Sequence, residues 1–480
     1  MNLQQTRLPL YEALERHRIS DPISFHVPGH KSGLILSKEM PVGINRLLEY
    51  DMTEVPGLDD LHHPEEAIYE AQQLLSDFYQ SKKSYFLVNG STVGNLAMIL
   101  GVCQEGDAVL VQRNCHKSIL HGLKLAKVDP VFLQPDIDRE WKMAGGITLE
   151  SLQETLSSYP DAKALIITSP NYYGKIQMLK PIINLAHEYN IPVLVDEAHG
   201  AHFALGHPFP ASAAQFGADV VVHSAHKTLP AMTMGSYLHI YNDRVDEKKI
   251  EMYLQMLQSS SPSYPIMMSL DHARHYLASF NEEDILHALK ELDAFKDKLR
   301  SMSGIKMLEE RNVDPLKVTL QPLDGYSGFQ LLDALQEEGV YAELADPYNV
   351  LLILPLLKKG QSFPYVTAIQ KISLALERLR DRHPAAIKEM PSYQLNNHYT
   401  KLEYSFKEMG NKKKVPISIV ESAGRVCAEM IIPYPPGIPL IMDGEIITNK
   451  ALSYLRELII LGTRFHGGSS LQEGKLWVYE

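Results

Sequence analysis

A chain of 480 residues, 45% hydrophobic and 22% charged, has an ordinary globular composition and more length than one hydrophobic core accommodates, so two or three domains are expected. A net charge of −12 argues against a nucleic-acid partner and is compatible with collecting a cationic ligand, and apolar runs such as 220–222 and 351–357 fall far short of the roughly 20 residues that span a bilayer. Cys103, Cys115 and Cys427 are too widely spaced for a disulfide framework or a zinc knuckle, and no basic stretch followed by an apolar one opens the chain, so a cytoplasmic protein without a membrane segment is expected.

Residues 1–61 read as an arm: a short helix near Leu10–His17, then extended segments broken by Pro22, Pro28, Gly29, Pro41, Pro56 and Gly57. Such a segment carries little core of its own and is expected against another surface, such as that of a second subunit. Within it His26-Val27-Pro28-Gly29-His30 reads as a turn with solvated histidines. The spacing of Ala67, Ile68, Ala71, Leu74, Leu75 and Phe78 predicts a helix over 64–79, followed by a strand over 84–88. Asn89-Gly90-Ser91-Thr92 then opens a helix over 93–103. A glycine turn feeding a helix N-terminus presents unpaired N–H groups and suits a phosphate, while a simple Ser91 or Thr92 cap explains the same residue types.

Strands over 108–112, 131–133, 164–168 and 192–195 alternate with helices over 118–125, 148–157 and 180–189. The alternation predicts an α/β domain with a mostly parallel sheet, helices on both faces and its ligand site outside the carboxyl ends of the strands. Arg113-Asn114-Cys115-His116-Lys117-Ser118 follows one such end, where His116 either caps the next helix or takes part in chemistry. Residues 237–241 read as the last strand of the sheet, with helices over 245–258, 267–278 and 283–302 after it. A second domain has strands over 318–320 and 350–354 and a helix over 366–379. Residues 382–414 read as a polar linker. The C-terminal module has strands over 415–421 and 426–432, the rigid turn Pro433–Pro439, Asp443-Gly444-Glu445 and a helix over 449–461. The expected divisions are 1–61, 62–282, 283–382 and 383–480.

Two strand ends carry the chemistry. The apolar run 191–195 ends in Asp196-Glu197-Ala198-His199-Gly200, and the run 218–222 ends in His223-Ser224-Ala225-His226-Lys227. Lys227 follows Asp196 by 31 residues (227 − 196), enough for one parallel crossover, so both can reach the same sheet edge. A lysine, a carboxylate and a phosphate anchor in one crevice meet the needs of pyridoxal phosphate.

These two stretches resemble the fold-type I pyridoxal-phosphate enzymes, and specifically the prokaryotic ornithine/lysine/arginine decarboxylases. Four more stretches are similar to that family and run in its order: Phe25–Lys31, Gly57–Leu61, Asn89–Asn95 and Pro433–Pro439. The resemblance implies an aspartate-aminotransferase-like large domain with smaller α+β C-terminal domains. It implies pyridoxal 5'-phosphate on Lys227, Asp196 against the ring nitrogen beside Ala198, His116 stacked on the ring, and Ser91, Thr92, Ser224 and His226 around the phosphate. His199 and Lys227 are both candidate proton donors to the α-carbon. The implied substrate is a small basic amino acid, arginine favoured over lysine and ornithine, converted to the amine of polyamine synthesis and CO2 in a homodimer or higher homo-oligomer. His30 would border the site from the arm. A cationic side chain entering a partly desolvated pocket needs an acidic partner, for which Glu445 is the first candidate and Asp59 and Asp60 weaker ones. Equally open for Glu445 is a carboxylate in the first turn of the following helix. Two departures from the family are expected: Asp443-Gly444-Glu445 in place of Pro-Gly-Glu, and no additional domain ahead of the arm.

Three other readings compete. His199-Gly200-Ala201-His202 and His223-Ser224-Ala225-His226 space histidines three apart near Asp196 and Glu197, as a hydrolytic metal site could, but a protonated Lys227 beside them would repel the ion; no metal is expected. A cofactor-binding regulator would need a basic helix-turn-helix stretch, and none is visible. A different fold-type I reaction, an aminotransferase or carbon–carbon lyase, would use the same lysine and aspartate, with Arg425 or Arg464 available for the substrate carboxylate.

Overall fold

The computed structural model describes residues 4–41, 43–384, 398–433 and 438–480. The chain forms two compact units, Met1–Val102 with Pro192–Asn281, and Cys103–Ile191 with Glu282–Glu480.

In the first unit the strands lie in the order Lys83–Leu87, Ser236–Ile240, Val220–His223, Val193–Asp196. The last two are parallel, and Ser236–Ile240 is antiparallel to both its neighbours. That strand is therefore interior to the sheet, where its five buried residues need cover on both faces. The helix Gly90–Val102 packs closely here because two glycines on one face let it: a Cβ at Gly94 would stand 2.7 Å from Leu87 Cδ1 and 3.0 Å from Val222 Cγ1, and one at Gly101 would stand 2.6 Å from Ile250 Cγ1.

The start of the arm is better anchored than its prolines suggest. Helix Pro9–Ile19 buries Leu10, Ala13 and Leu14 and packs on helices Ala67–Tyr79 and Tyr264–Ala278. The fully buried Arg274 donates to the carbonyls of Gln5 (2.5 Å) and Arg7 (2.6 Å), while its partner Asp271 accepts from Leu10 N (3.3 Å). The expectation of little core fits the stretch just after this helix, where Ile23, Phe25 and Leu34 are 89%, 95% and 87% exposed, whereas Met52, Leu58 and Leu61 near the arm's end are buried.

In the second unit Ala164–Thr168, Ala108–Gln112 and Asp129–Leu133 are parallel neighbours, and Tyr399–Lys401 adds an antiparallel strand to the last. Residues 382–414 are thus not simply a linker: besides that strand they hold helix Phe406–Asn411, started by a Ser405/Glu408 capping box. A four-stranded antiparallel sheet, Ile305–Met307, Lys317–Pro322, Val350–Ile353 and Leu344–Ala345, is accompanied by helices Glu282–Arg300, Gly328–Glu337 and Tyr365–Arg380. The C-terminal module pairs Lys414–Ser418 with Lys475–Tyr479 and Ile431–Pro433 with Phe465–Gly467. Its core gathers Cys427, Ile431, Ile441, Leu455, Leu476 and Val478. The continuous strand expected over 426–432 is interrupted, with single bridges at Val426 and Cys427, because the Glu429 carboxylate occupies the N–H groups of Ser469 and Trp477. Tyr434-Pro435-Pro436-Gly437 of the proline-rich motif lies outside the described residues. Among those described, no helix is long and apolar enough to cross a membrane.

Candidate active site

Asp196 ends its strand at 2% exposure, opposite Val222 in the parallel register. The adjacent strand continues through Ser224 into the short helix Ala225–Thr228, which carries Lys227. The Asp196 carboxylate accepts from Asn95 Nδ2 (2.9 Å) and from Ala198 N (3.1 Å). A buried carboxylate needs such donors to remain charged. Lys227 Nζ lies 3.0 Å from Nε2 of the buried His199, within hydrogen-bond distance.

The Asn89–Asn95 stretch meets the lysine stretch at a pair of hydroxyls, Ser224 Oγ donating to Ser91 Oγ at 2.7 Å. The helix begins at Gly90, three residues earlier than its apolar pattern suggests, so Ser91 and Thr92 stand in its first turn, where backbone N–H groups have no partner within the helix. Gly90 N is held by Met234 O (2.9 Å), and His226 Nδ1 lies 2.9 Å from Gly235 O, so the same 234–235 segment braces both. A reactive amine, a buried carboxylate with two donors and hydroxyls at the N-terminus of a 13-residue helix are the donor set that pyridoxal phosphate requires, and these residues fit it.

The histidines proposed for a metal face four different partners. His223 Nε2 lies 2.7 Å from Glu197 Oε2, His199 meets Lys227, His226 meets Gly235 O, and His202 packs edge-on to Phe203 and Phe209. Glu197, fully buried, also accepts from Ser212 Oγ (2.5 Å) and Ala213 N (2.8 Å), which makes it a brace for the loop after its strand.

Four sequence candidates have protein partners of their own. Glu445 is gripped by Arg113, whose Nη1 and Nη2 donate to Oε1 and Oε2 at 2.7 and 2.8 Å. No acidic residue falls in the first turn of helix Asn449–Ile460, so Glu445 is not a first-turn carboxylate of that helix; its charge meets Arg113 instead. Asp59 is likewise committed, accepting from the backbone N–H groups of Glu65, Glu66, Ile68 and Tyr69 at the start of helix Ala67–Tyr79. His30, in the arm, accepts from Gly33 N at Nδ1 (3.2 Å), which leaves Nε2 to donate to Asp51 Oδ2 (3.1 Å). In the second unit His116 is the N-cap of helix Lys117–Ala126, its Nδ1 accepting from Ser118 N at 3.3 Å, so its capping role is realised.

Asn95, Glu197 and Arg113 had no role assigned from sequence. A signal existed for Asn95, the one polar side chain in Val93-Gly94-Asn95-Leu96-Ala97-Met98-Ile99, and it is fully buried.

The profile for "Orn/Lys/Arg decarboxylase, major domain" matches residues 8–317, and that for the C-terminal domain of the same family matches 385–474. Among curated proteins the chain is 46% identical to the uncharacterised protein YaaO of Bacillus subtilis, over 98% of each chain. It is 33% identical to the arginine decarboxylase of the same organism, over 97% of this chain and 96% of that one. The solved lysine decarboxylase of Francisella novicida has the same fold, with a TM-score of 0.81 at 21% identity over 98% of this chain and 80% of that one. The chain belongs to the Orn/Lys/Arg decarboxylase family.

Proposed function

We propose that the protein is a pyridoxal-phosphate-dependent decarboxylase of a small basic amino acid, arginine before lysine or ornithine, releasing CO2 and the corresponding amine. One observation carries this reading: Lys227 in contact with His199 on one strand end and Asp196, buried and doubly hydrogen-bonded, on the parallel strand beside it. Arginine comes first because the arginine decarboxylase of Bacillus subtilis matches along nearly its whole length at 33% identity.

When bound, pyridoxal phosphate supplies an electron-poor ring that accepts the electron pair left as CO2 departs. Lys227 provides the amine through which it is held. Asp196, fixed by Asn95 and Ala198 N, keeps a proton on the ring nitrogen by its negative charge. Ser91, Thr92, Ser224 and His226 hold the phosphate, with the helix N-terminus adding favourable partial charge. The 3.0 Å contact lets His199 and Lys227 exchange a proton, so either one, recharged by the other, can protonate the α-carbon. His116 is assigned to the ring face by the family resemblance.

The exposed Ile23, Phe25 and Leu34 support a homodimer in which this segment lies against the second subunit, with His30 bordering the site. A cytoplasmic location and a place in polyamine synthesis complete the proposal, as do the four divisions at 61, 282 and 382.

The test is to reduce the holoenzyme with borohydride and locate the adduct, then incubate it separately with arginine, lysine and ornithine. The expected results are an adduct on Lys227, absent in Lys227→Ala, and agmatine as the main product. An adduct that persists in Lys227→Ala removes the assignment. A keto acid without any amine removes decarboxylation and favours an aminotransferase.

A further inference from the structure

Arg113 follows strand Ala108–Gln112 and precedes His116 by three residues (116 − 113), and it is only 4% exposed. Its guanidinium makes a fork with Glu445 and a third bond to Leu440 O (3.2 Å). Glu445 is itself immobilised: Oε2 accepts from Met442 N (3.1 Å), and its carbonyl accepts from Cys427 N (2.8 Å). Two residues earlier, Asp443 accepts from Lys124 Nζ (2.9 Å) and Tyr479 OH (2.8 Å). Lys124 stands in the last turn of helix Lys117–Ala126, and His116 is its N-cap. Asp443 and Glu445 thus grip one strand-to-helix segment at both extremes, Glu445 at the end of the strand and Asp443 at the last turn of the helix. Gly444 between them has φ +89°, a left-handed backbone that favours glycine and strains any residue with a side chain.

The two grips are unequal. Lys124 is half exposed, and such a pair contributes little. Arg113 and Glu445 are nearly buried, so each charge is costly without the other and the fork fixes both position and orientation.

We propose that Asp443-Gly444-Glu445 is a clamp from the C-terminal module that sets the orientation of His116, with Arg113 and Glu445 as positioning residues for the reaction. The clamp acts through the start of the helix: Arg113 fixes the end of the strand, and the Ser118 N–H fixes the imidazole through Nδ1, leaving Nε2 as the nitrogen that carries the proton in the neutral ring. That His116 serves decarboxylation rests on the proposed function; that the clamp orients it does not.

The test uses holoenzyme labelled with 13C-histidine, the His116 resonance being assigned with His116→Gln. Glu445→Gln keeps the shape and removes the charge; Arg113→Lys keeps the charge and removes the fork. Both are expected to shift the His116 resonance and to lower kcat roughly ten- to hundredfold with KM changed less than about threefold, as a misplaced group does. The double variant is expected to be no worse than the poorer single one. A His116 resonance unchanged in both variants overturns the clamp, and so does a rise in KM alone, which would return Glu445 to the substrate. If Glu445→Gln does not fold, Arg113→Lys decides by the same readouts. A wild-type enzyme that yields no amine refutes the proposed function, while the resonance still judges the clamp.

Discussion

Asn95→Ala removes the Asn95 Nδ2 donor to the Asp196 carboxylate, at 2.9 Å in a site with no exposure on the asparagine and 2% on the aspartate. A hydrogen bond to a charged group contributes about 1.5–3 kcal/mol, and alanine in a helix interior returns up to ~0.7 kcal/mol of propensity. The net loss is therefore about 1–2.5 kcal/mol, equivalent to roughly 5- to 60-fold in an equilibrium constant. It should appear as a lower Tm by differential scanning calorimetry and as a lower kcat, since Asp196 would hold a ring proton less firmly. Asn95→Asp is the sharper probe. It sets a second carboxyl against Asp196, so one of the two must keep a proton and its folded pKa rises above the unfolded value. A raised carboxyl contributes stability below the unfolded pKa of about 4 that is lost as pH rises, so the deficit of Asn95→Asp against the wild type should widen from pH 5 to pH 8. A deficit constant across that range, or an Asn95→Ala protein with wild-type Tm and kcat, refutes the reasoning.

Ser91→Ala breaks the 2.7 Å contact with Ser224 and one proposed phosphate ligand, a loss of about 1 kcal/mol that should weaken cofactor binding roughly fivefold by fluorescence titration. Gly328→Ala should cost about 1–3 kcal/mol or more by urea unfolding, because the new Cβ would lie 2.5 Å from Asn349 O and 2.8 Å from Asn349 N, backbone atoms that cannot swing aside. Burial pushes the Cys103 and Cys427 thiols from 9.0 up to about 12. Both should therefore resist iodoacetamide at pH 9 in the native protein and react on unfolding. Their contribution to stability is present below pH 9 and lost as the pH rises toward 12, which a pH series of urea midpoints will follow.

The placement of Lys227 and Asp196 was legible in the sequence because both depend on local pattern: an apolar run marks a buried strand, and its end in an α/β sheet marks the ligand edge. Most strands and helices from residue 83 to residue 300 follow from the same periodicities, with ends shifted by a few residues, but the hairpin Pro135–Asp138 with Met143–Ile147 was not foreseen. What tertiary structure alone decided is where charges find partners. Nothing near Glu445 in sequence announces Arg113, 332 residues away, and nothing near the arm announces Arg274, 269 residues beyond Gln5. The strand Tyr399–Lys401 belongs to the same class, since its three residues are too few for a period and gain their pairing from Asp129–Leu133. A buried charge is tolerable only with its partner, and that partner is set by how distant segments pack, so the acidic residues are legible in the sequence while the fold decides which basic residue each one meets.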